Sequence, residues 1–585
     1  MINRRQLLTT LTSTGIGTAV FHKAVVALAQ DDEDKLNAEM LQQAEWVSGI
    51  ELTDEQRDEI VDAVARDVDQ IEKLREIELT ADVGPALHFH TISAEKKLDS
   101  VERVSQTIST TVRVLPESDE EIAFLPVHEL SWLIRTGKIS SVDLTKIYID
   151  RLKKYSPMLR CMVTLTEELA MEQAERADRE LQQGIYRSPL HGIPWGAKDL
   201  ISVPGYPTTW GIPHYKDRVL DDTATVAARL EEAGAVLIAK LSLGALAMGD
   251  MWFEGMTRNP WNPRVGSSGS SAGSASAVVA GLVGFTLGSE TLGSILSPSI
   301  RCGSTGMRPT FGRVSRYGCM PLSWSMDKIG PICRSVEDCA LVFDAIHGAD
   351  GRDLTANNYA FSWPTDLNVS GLRVGVLKLP EDTDEESGGG ETDSPEDGGN
   401  EKEIDPLAIL QEMGCELVEI ELPSEFSYYS LTNVISVEGA SVFDQLLRDG
   451  HTEGWNAWDG IFRSAQYISA IDYLRYQRLR TKLMHDFEAS IKDVDFLCNM
   501  NDLVHTNLTG HPSVVMPLRY RDSRQGGKRI VPVVFTGHLN DDARLLSLSH
   551  AFQQRIDAHL QAPPLDEWLG KFDAGELDEK EDEDE

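Results

Sequence analysis

Residues 266–304 read GSSGSSAGSASAVVAGLVGFTLGSETLGSILSPSIRCGS, with eleven serines set among glycines and small apolar residues. Gly/Ser composition alone describes a flexible linker, but a linker does not carry AVVAGLVGFTLG in its middle. The stretch reads as an apolar helix flanked by two Ser/Gly loops. Such a helix brings both loops to one buried place, where their backbone N–H groups are available to an anion. Working outward, residues 141–155 and 167–183 have helical periodicity, while 236–239 and 372–377 are short apolar strands. From Phe124 onward this alternation predicts an α/β layered fold.

Five motifs stand in order around the serine-rich stretch: GIPWGAKDL, GSSAGSASAVVAGL, LGSETLGSI, CGSTGMRPTFGRVSRYG and GPICRSVEDCALVFDAI. ISSVDLTKIYIDRL lies upstream of them and NLTGHPSVVMP downstream. In order and spacing the chain resembles the amidase signature family over roughly residues 127–560. The resemblance implies a mixed β-sheet covered by helices on both faces, and hydrolysis of a C–N amide bond in a small or medium-sized substrate. Matching motif to motif, it implies a triad of Lys198, Ser270 and Ser294, with a cis peptide at Ser270. It also implies an oxyanion hole from the backbone N–H groups of Thr291, Leu292, Gly293 and Ser294.

The chemistry behind that assignment is general. A serine hydroxyl is a poor nucleophile at neutral pH and needs an adjacent base. A lysine serves only if burial lowers its pKa enough to leave it neutral. On this reading Ser270 passes the proton of Ser294 to Lys198 and later returns it to the leaving nitrogen, and the reaction requires no metal or cofactor. Two departures from the family pattern bear on the support of the triad. The usual Asp-x-Gly-Gly-Ser-Ile-Arg is Glu290-Thr291-Leu292-Gly293-Ser294-Ile295-Leu296 here, so Glu290 needs a cationic partner other than residue 296, and Leu292 adds bulk to the turn.

Composition bounds the partners. The 585 residues carry 55 Lys and Arg against 93 Asp and Glu, a formal charge of −38, which repels phosphate backbones and anionic lipid and argues against a nucleic-acid partner. The expected partner is a small-molecule amide, and the composition is compatible with a homo-oligomer. Residues 1–29 combine Arg4-Arg5, a short apolar run and Ala27-Leu28-Ala29, the pattern of a twin-arginine export signal, and predict a periplasmic or secreted protein without stable membrane insertion. Residues 30–125 read as a helical extension, with Leu41, Ala44 and Val47, then Ile60, Val64, Val68, Ile71 and Leu74, at helical spacing. Residues 126–565 read as the catalytic domain, interrupted by an acidic, glycine-rich insertion at 381–403, and 566–585 as an acidic tail. Seven scattered cysteines argue against a disulfide framework or a zinc site, and His88 and His90 read as ordinary histidines.

Four competing readings stand beside this one. Gly269-Ser270-Ser271-Ala272-Gly273 satisfies G-x-S-x-G with Ser271 as nucleophile, but that short pattern is common by chance and no β-branched strand leads into it; Ser325-Met326-Asp327-Lys328 satisfies S-x-x-K, but neither SDN nor KTG accompanies it. A glutaminase-type component of a transfer-RNA amidotransferase is opposed by the charge, by the export signal, and by residues 443–460, which lack the arginine-bearing motif of glutamine recognition. A non-catalytic scaffold is the reading from a different class.

Overall fold

The computed structural model describes residues 36–80, 83–87, 114–378, 404–499, 503–523 and 526–577. Residues 1–29, read from the sequence as an export signal, His88 and His90, and the 381–403 insertion lie outside them. The chain divides into two compact units, residues 88–424 with 483–585, and residues 1–87 with 425–482.

Among the described residues the larger unit is built on an eleven-stranded mixed sheet. In chain order its strands are β1 (Met162–Leu165), β2 (Pro194–Lys198), β3 (Val236–Leu241), β4 (Phe285–Glu290), β5 (Thr305–Arg308) and β6 (Lys328–Cys333). They continue with β7 (Arg373–Leu377), β8 (Glu416–Ile420), β9 (Phe496–Cys498), β10 (Ser513–Asp522) and β11 (Lys528–Gly537). Their spatial order is β1-β3-β2-β4-β6-β5-β10-β11-β9-β7-β8. Parallel pairs β3/β2/β4 and β9/β7/β8 stand toward the two ends, and antiparallel pairs join them. β2, β3, β4 and β6 are buried along their whole length, as strands covered on both faces must be. Helices flank the sheet, among them Ala272–Val279, which packs on β2, β3, β4 and β6, and Leu296–Cys302, which packs on β5, β10 and β11.

The serine-rich stretch divides differently from its sequence reading. Within its apolar middle the helix is confined to Ala272–Val279; the run then turns at Gly281, at φ +64°, and Phe285–Glu290 is the central strand β4. The run is apolar on both faces either way, so periodicity cannot separate a buried helix from a buried strand. The end of the chain also carries more structure than its composition suggests. Leu565–Asp573 is a helix with Leu565 and Trp568 buried, and its Asp566 accepts from Lys154 Nζ at 2.6 Å and Tyr155 Oη at 2.7 Å.

In the smaller unit, helices Ala38–Ser48 and Asp54–Arg75 pack with helices of residues 425–482. The second begins with a capping box, Thr53 Oγ1 accepting from Gln56 N while Gln56 Oε1 accepts from Thr53 N. Leu41, Ile60, Val64, Ile71 and Leu74 are buried, but Val47 and Val68, placed on the same stripes by sequence, are exposed. Glu45 takes the inward place on the first helix because Arg57 meets it at 2.6 Å, so a charge pair displaces an apolar position. Arg75 forks onto Asp472, and Arg475 donates to the carbonyls of Leu74, Arg75 and Ile77. Among the described residues no helix is long and apolar enough to cross a membrane.

Candidate active site

Lys198 is the last residue of β2 and is wholly buried. Its ammonium donates to Ser270 Oγ at 2.8 Å, Ser289 Oγ at 2.9 Å, Ser271 Oγ at 3.0 Å and the Ser289 carbonyl at 3.4 Å. Every one of these partners is neutral, and among the described residues no carboxylate forms an ion pair with it. Burial therefore dominates and pushes the lysine down to about 7, against the opposing pull of Asp327 and Glu290. The neighbouring Asp199 does not serve as its counter-ion, because Lys240 occupies that carboxylate at 2.6 Å.

The loop before helix Ala272–Val279 is drawn tightly against its surroundings. The Gly269–Ser270 peptide is cis, and a Cβ at Gly269 would lie 1.8 Å from the Gly249 carbonyl oxygen, so only glycine fits. Ser270 is 1% exposed and Ser294 8%. The two loops are joined through their backbones, Ser271 N donating to the Ser294 carbonyl at 3.1 Å. Among the described residues no hydrogen bond links the hydroxyls of Ser270 and Ser294. Ser271 is committed elsewhere: its hydroxyl donates to the Ser289 carbonyl and accepts from Ser289 N and Lys198. Ser289, one residue from Glu290 in LGSETLGSI, is the contact to Lys198 that sequence reasoning missed.

The turn Thr291–Leu292–Gly293–Ser294 leaves β4 with Gly293 at φ +84° and enters helix Leu296–Cys302. Among the described residues the N–H groups of Leu292, Gly293 and Ser294 enter no backbone hydrogen bond, whereas those of Ile295 and Leu296 donate to Glu290 Oε2 at 2.8 and 3.0 Å. Glu290 thus caps the helix from the strand that precedes it. Its cationic partner is Arg308 at the end of β5, whose Nη1 donates to Glu290 Oε1 at 2.8 Å. The rest of the Arg308 fork goes to the His511 carbonyl and Ser513 Oγ. Asn507 Nδ2 adds a further bond to Glu290 Oε1 at 2.9 Å. Burial alone would raise the Glu290 carboxyl, but Arg308 and Lys328 overcome it and hold it at about 2. Residue 296 has become apolar, and Leu296 packs in a cluster with Val515 and Val534, flanked by Ile300 and Leu503.

A buried lysine without an ion-pair partner among the described residues, held among serine hydroxyls beside a turn whose N–H groups enter no backbone hydrogen bond, is equipped to move a proton and receive an anion. A family model described as amidase matches residues 143–500. The A component of the glutamyl-tRNA(Gln) amidotransferase of Coxiella burnetii is 32% identical over 497 residues, covering 75% of this chain and 99% of that protein. Its counterpart from Chloroflexus aggregans is 32% identical over 506 residues, covering 76% and 99%. Among solved structures, the peptide amidase of Stenotrophomonas maltophilia is similar with a TM-score of 0.62 at 25% identity, over 75% of this chain and 98% of that one. A bacterial aryl acylamidase shares the fold, with a TM-score of 0.63 at 21% identity over 75% and 99%. The chain belongs to the amidase family, whose members act on carbon–nitrogen bonds other than peptide bonds.

Proposed function

We propose that this chain is an exported amidase that hydrolyses a small or medium-sized amide through an acyl-enzyme on Ser294, with Ser270 and Lys198 carrying the proton. The observation that supports this most is the neutral environment of Lys198: a fully buried amine with hydroxyl partners is a base at neutral pH, whereas an ion-paired one is not. Ser294 turns onto Ser270 to surrender its proton, the carbonyl carbon of the amide bonds to Ser294 Oγ, and the oxyanion sits on the N–H groups of the 291–294 turn. Collapse expels the amine, which takes its proton from Lys198 through Ser270. Water then cleaves the ester by the same route.

Export rests on Arg4-Arg5 and Ala27-Leu28-Ala29, and replacing both arginines by lysine should trap the precursor inside the cell. Mature protein found in the cytoplasm with Met1 intact would sink the export reading. The similarity to the glutamyl-tRNA(Gln) amidotransferase components keeps glutamine-amide cleavage as the second reading. A panel of aliphatic, aryl and amino-acid amides, glutamine included, separates the two. The nucleophile is tested by mass spectrometry after a fluorophosphonate: an adduct on Ser294 is expected, and one on Ser271 or Ser325 would overturn the assignment.

A further inference from the structure

We propose that Asp327 is a positioning residue for this reaction, clamping the entry to the 291–294 turn through Thr291 while Glu290 holds its exit. The inference rests on the reading of that turn as the oxyanion site. Strand register supplies the geometry. β6 runs antiparallel to β4 with Lys328 opposite Glu290, so the residue before Lys328 falls beside the residue after Glu290. Thr291 Oγ1 donates to Asp327 Oδ1 at 2.6 Å, while Asp327 Oδ2 accepts from the N–H groups of Leu322 and Ser323 at 2.8 and 3.0 Å. Lys328 Nζ adds a contact to the Thr291 carbonyl at 3.4 Å and donates to Asn507 Oδ1 at 2.8 Å. At the exit, Glu290 Oε2 takes the N–H groups of Ile295 and Leu296. The turn that carries the N–H groups of Leu292, Gly293 and Ser294 is thereby held between two buried carboxylates, and among the described residues those N–H groups enter no backbone hydrogen bond.

Asp327 also faces the base electrostatically. Its charge opposes the deprotonation of Lys198, as does that of Glu290, but Arg308 and Lys328 hold the Glu290 carboxyl down, whereas burial pushes the Asp327 carboxyl up against the pull of Arg316, itself forked onto Asp353. Removing the Asp327 charge therefore moves two observables that a purely structural residue would not move together.

The test measures kcat and KM for a small amide from about pH 5.5 to about 9.5 in the full-length protein, alongside thermal melting, for Asp327→Asn, Thr291→Val and Thr291→Ser. Misplacing the turn by a fraction of an ångström should lower kcat roughly 10–100-fold in Asp327→Asn and Thr291→Val, with KM nearly unchanged. The ascending limb of the pH profile should move to lower pH in Asp327→Asn only, and Thr291→Ser should restore most of the wild-type kcat. Wild-type kcat in both Asp327→Asn and Thr291→Val, or an unshifted limb in a folded Asp327→Asn, overturns the proposal. If Asp327→Asn does not fold, the Thr291 pair decides: a low Val variant beside a near-normal Ser variant supports the clamp, and two equal variants overturn it. Absence of a fluorophosphonate adduct on Ser294 of the wild type would overturn the nucleophile assignment instead, while the clamp is still read from the variants' kcat.

Discussion

At Lys198 the absence of a counter-charge has a measurable sign. The folded value near 7 lies below the ordinary lysine value of 10.5, so below pH 7 the amine is charged in both folded and unfolded chains and the full desolvation cost is present. As pH rises through 7 the folded chain sheds the proton while the unfolded chain keeps it, and stability from this group increases. Lys198→Met should therefore exceed its parent in stability by a margin that shrinks by roughly 2–3 kcal/mol between pH 7 and pH 9, measured by urea denaturation. On the proposed mechanism the same ionisation gates activity: kcat/KM should climb through about pH 7, with Lys198→Ala losing at least the roughly 10²–10⁴-fold that acid–base catalysis contributes. Ser294→Ala should abolish acylation. Turnover that survives it would refute the assignment. At this scale the motifs were legible as far as placing Lys198 against Ser270, which the structure brings to 2.8 Å. Ser289 carried no such signal, since a serine in a strand reads as filler until the lysine is seen against it.

Buried charge governs the elements around the turn. Glu290 on β4 and Arg308 on β5 are both fully buried, and strand β6 lies between them in the sheet. Breaking such a pair by removing one partner costs roughly 3–5 kcal/mol, because the survivor is left charged in a dry interior. Arg308→Met is expected to lose that much in denaturant unfolding, and Arg308→Lys to lose less while forfeiting the fork onto His511 and Ser513. Equal stability of Arg308→Met and wild type would contradict the pairing. The sequence showed that Glu290 needed a cation once Leu296 stood in place of arginine, but it could not name Arg308, because the contact depends on the order of strands in the sheet. The division of the serine-rich stretch was hidden for a related reason: a strand buried on both faces has no alternation to read.

For the whole molecule, the sequence reading sets a helical extension at 30–125 before a catalytic domain at 126–565 and so places residues 425–482 in that domain. The structure groups them with residues 1–87, through contacts such as Arg75–Asp472 that span nearly four hundred residues and leave no local trace. Deleting residues 36–87 should uncover the apolar surface that Leu41, Ile60, Val64 and Leu74 cover, and limited proteolysis should then cut first within 425–482. Cleavage there no faster than in the parent would mean that 425–482 is stable by itself.

That shared unit also imposes a schedule on synthesis. Its first portion leaves the ribosome some 340 residues before its second, the interval from residue 87 to residue 425. At ordinary elongation speeds the wait is on the order of 20–70 s, during which helices Ala38–Ser48 and Asp54–Arg75 have no finished surface to dock on. The leader proposed for residues 1–29 stands directly ahead of the segment that must wait longest. Completion of this one unit reports that the ribosome has passed residue 482, so a transporter that accepts only folded cargo would find its timer built next to its ticket.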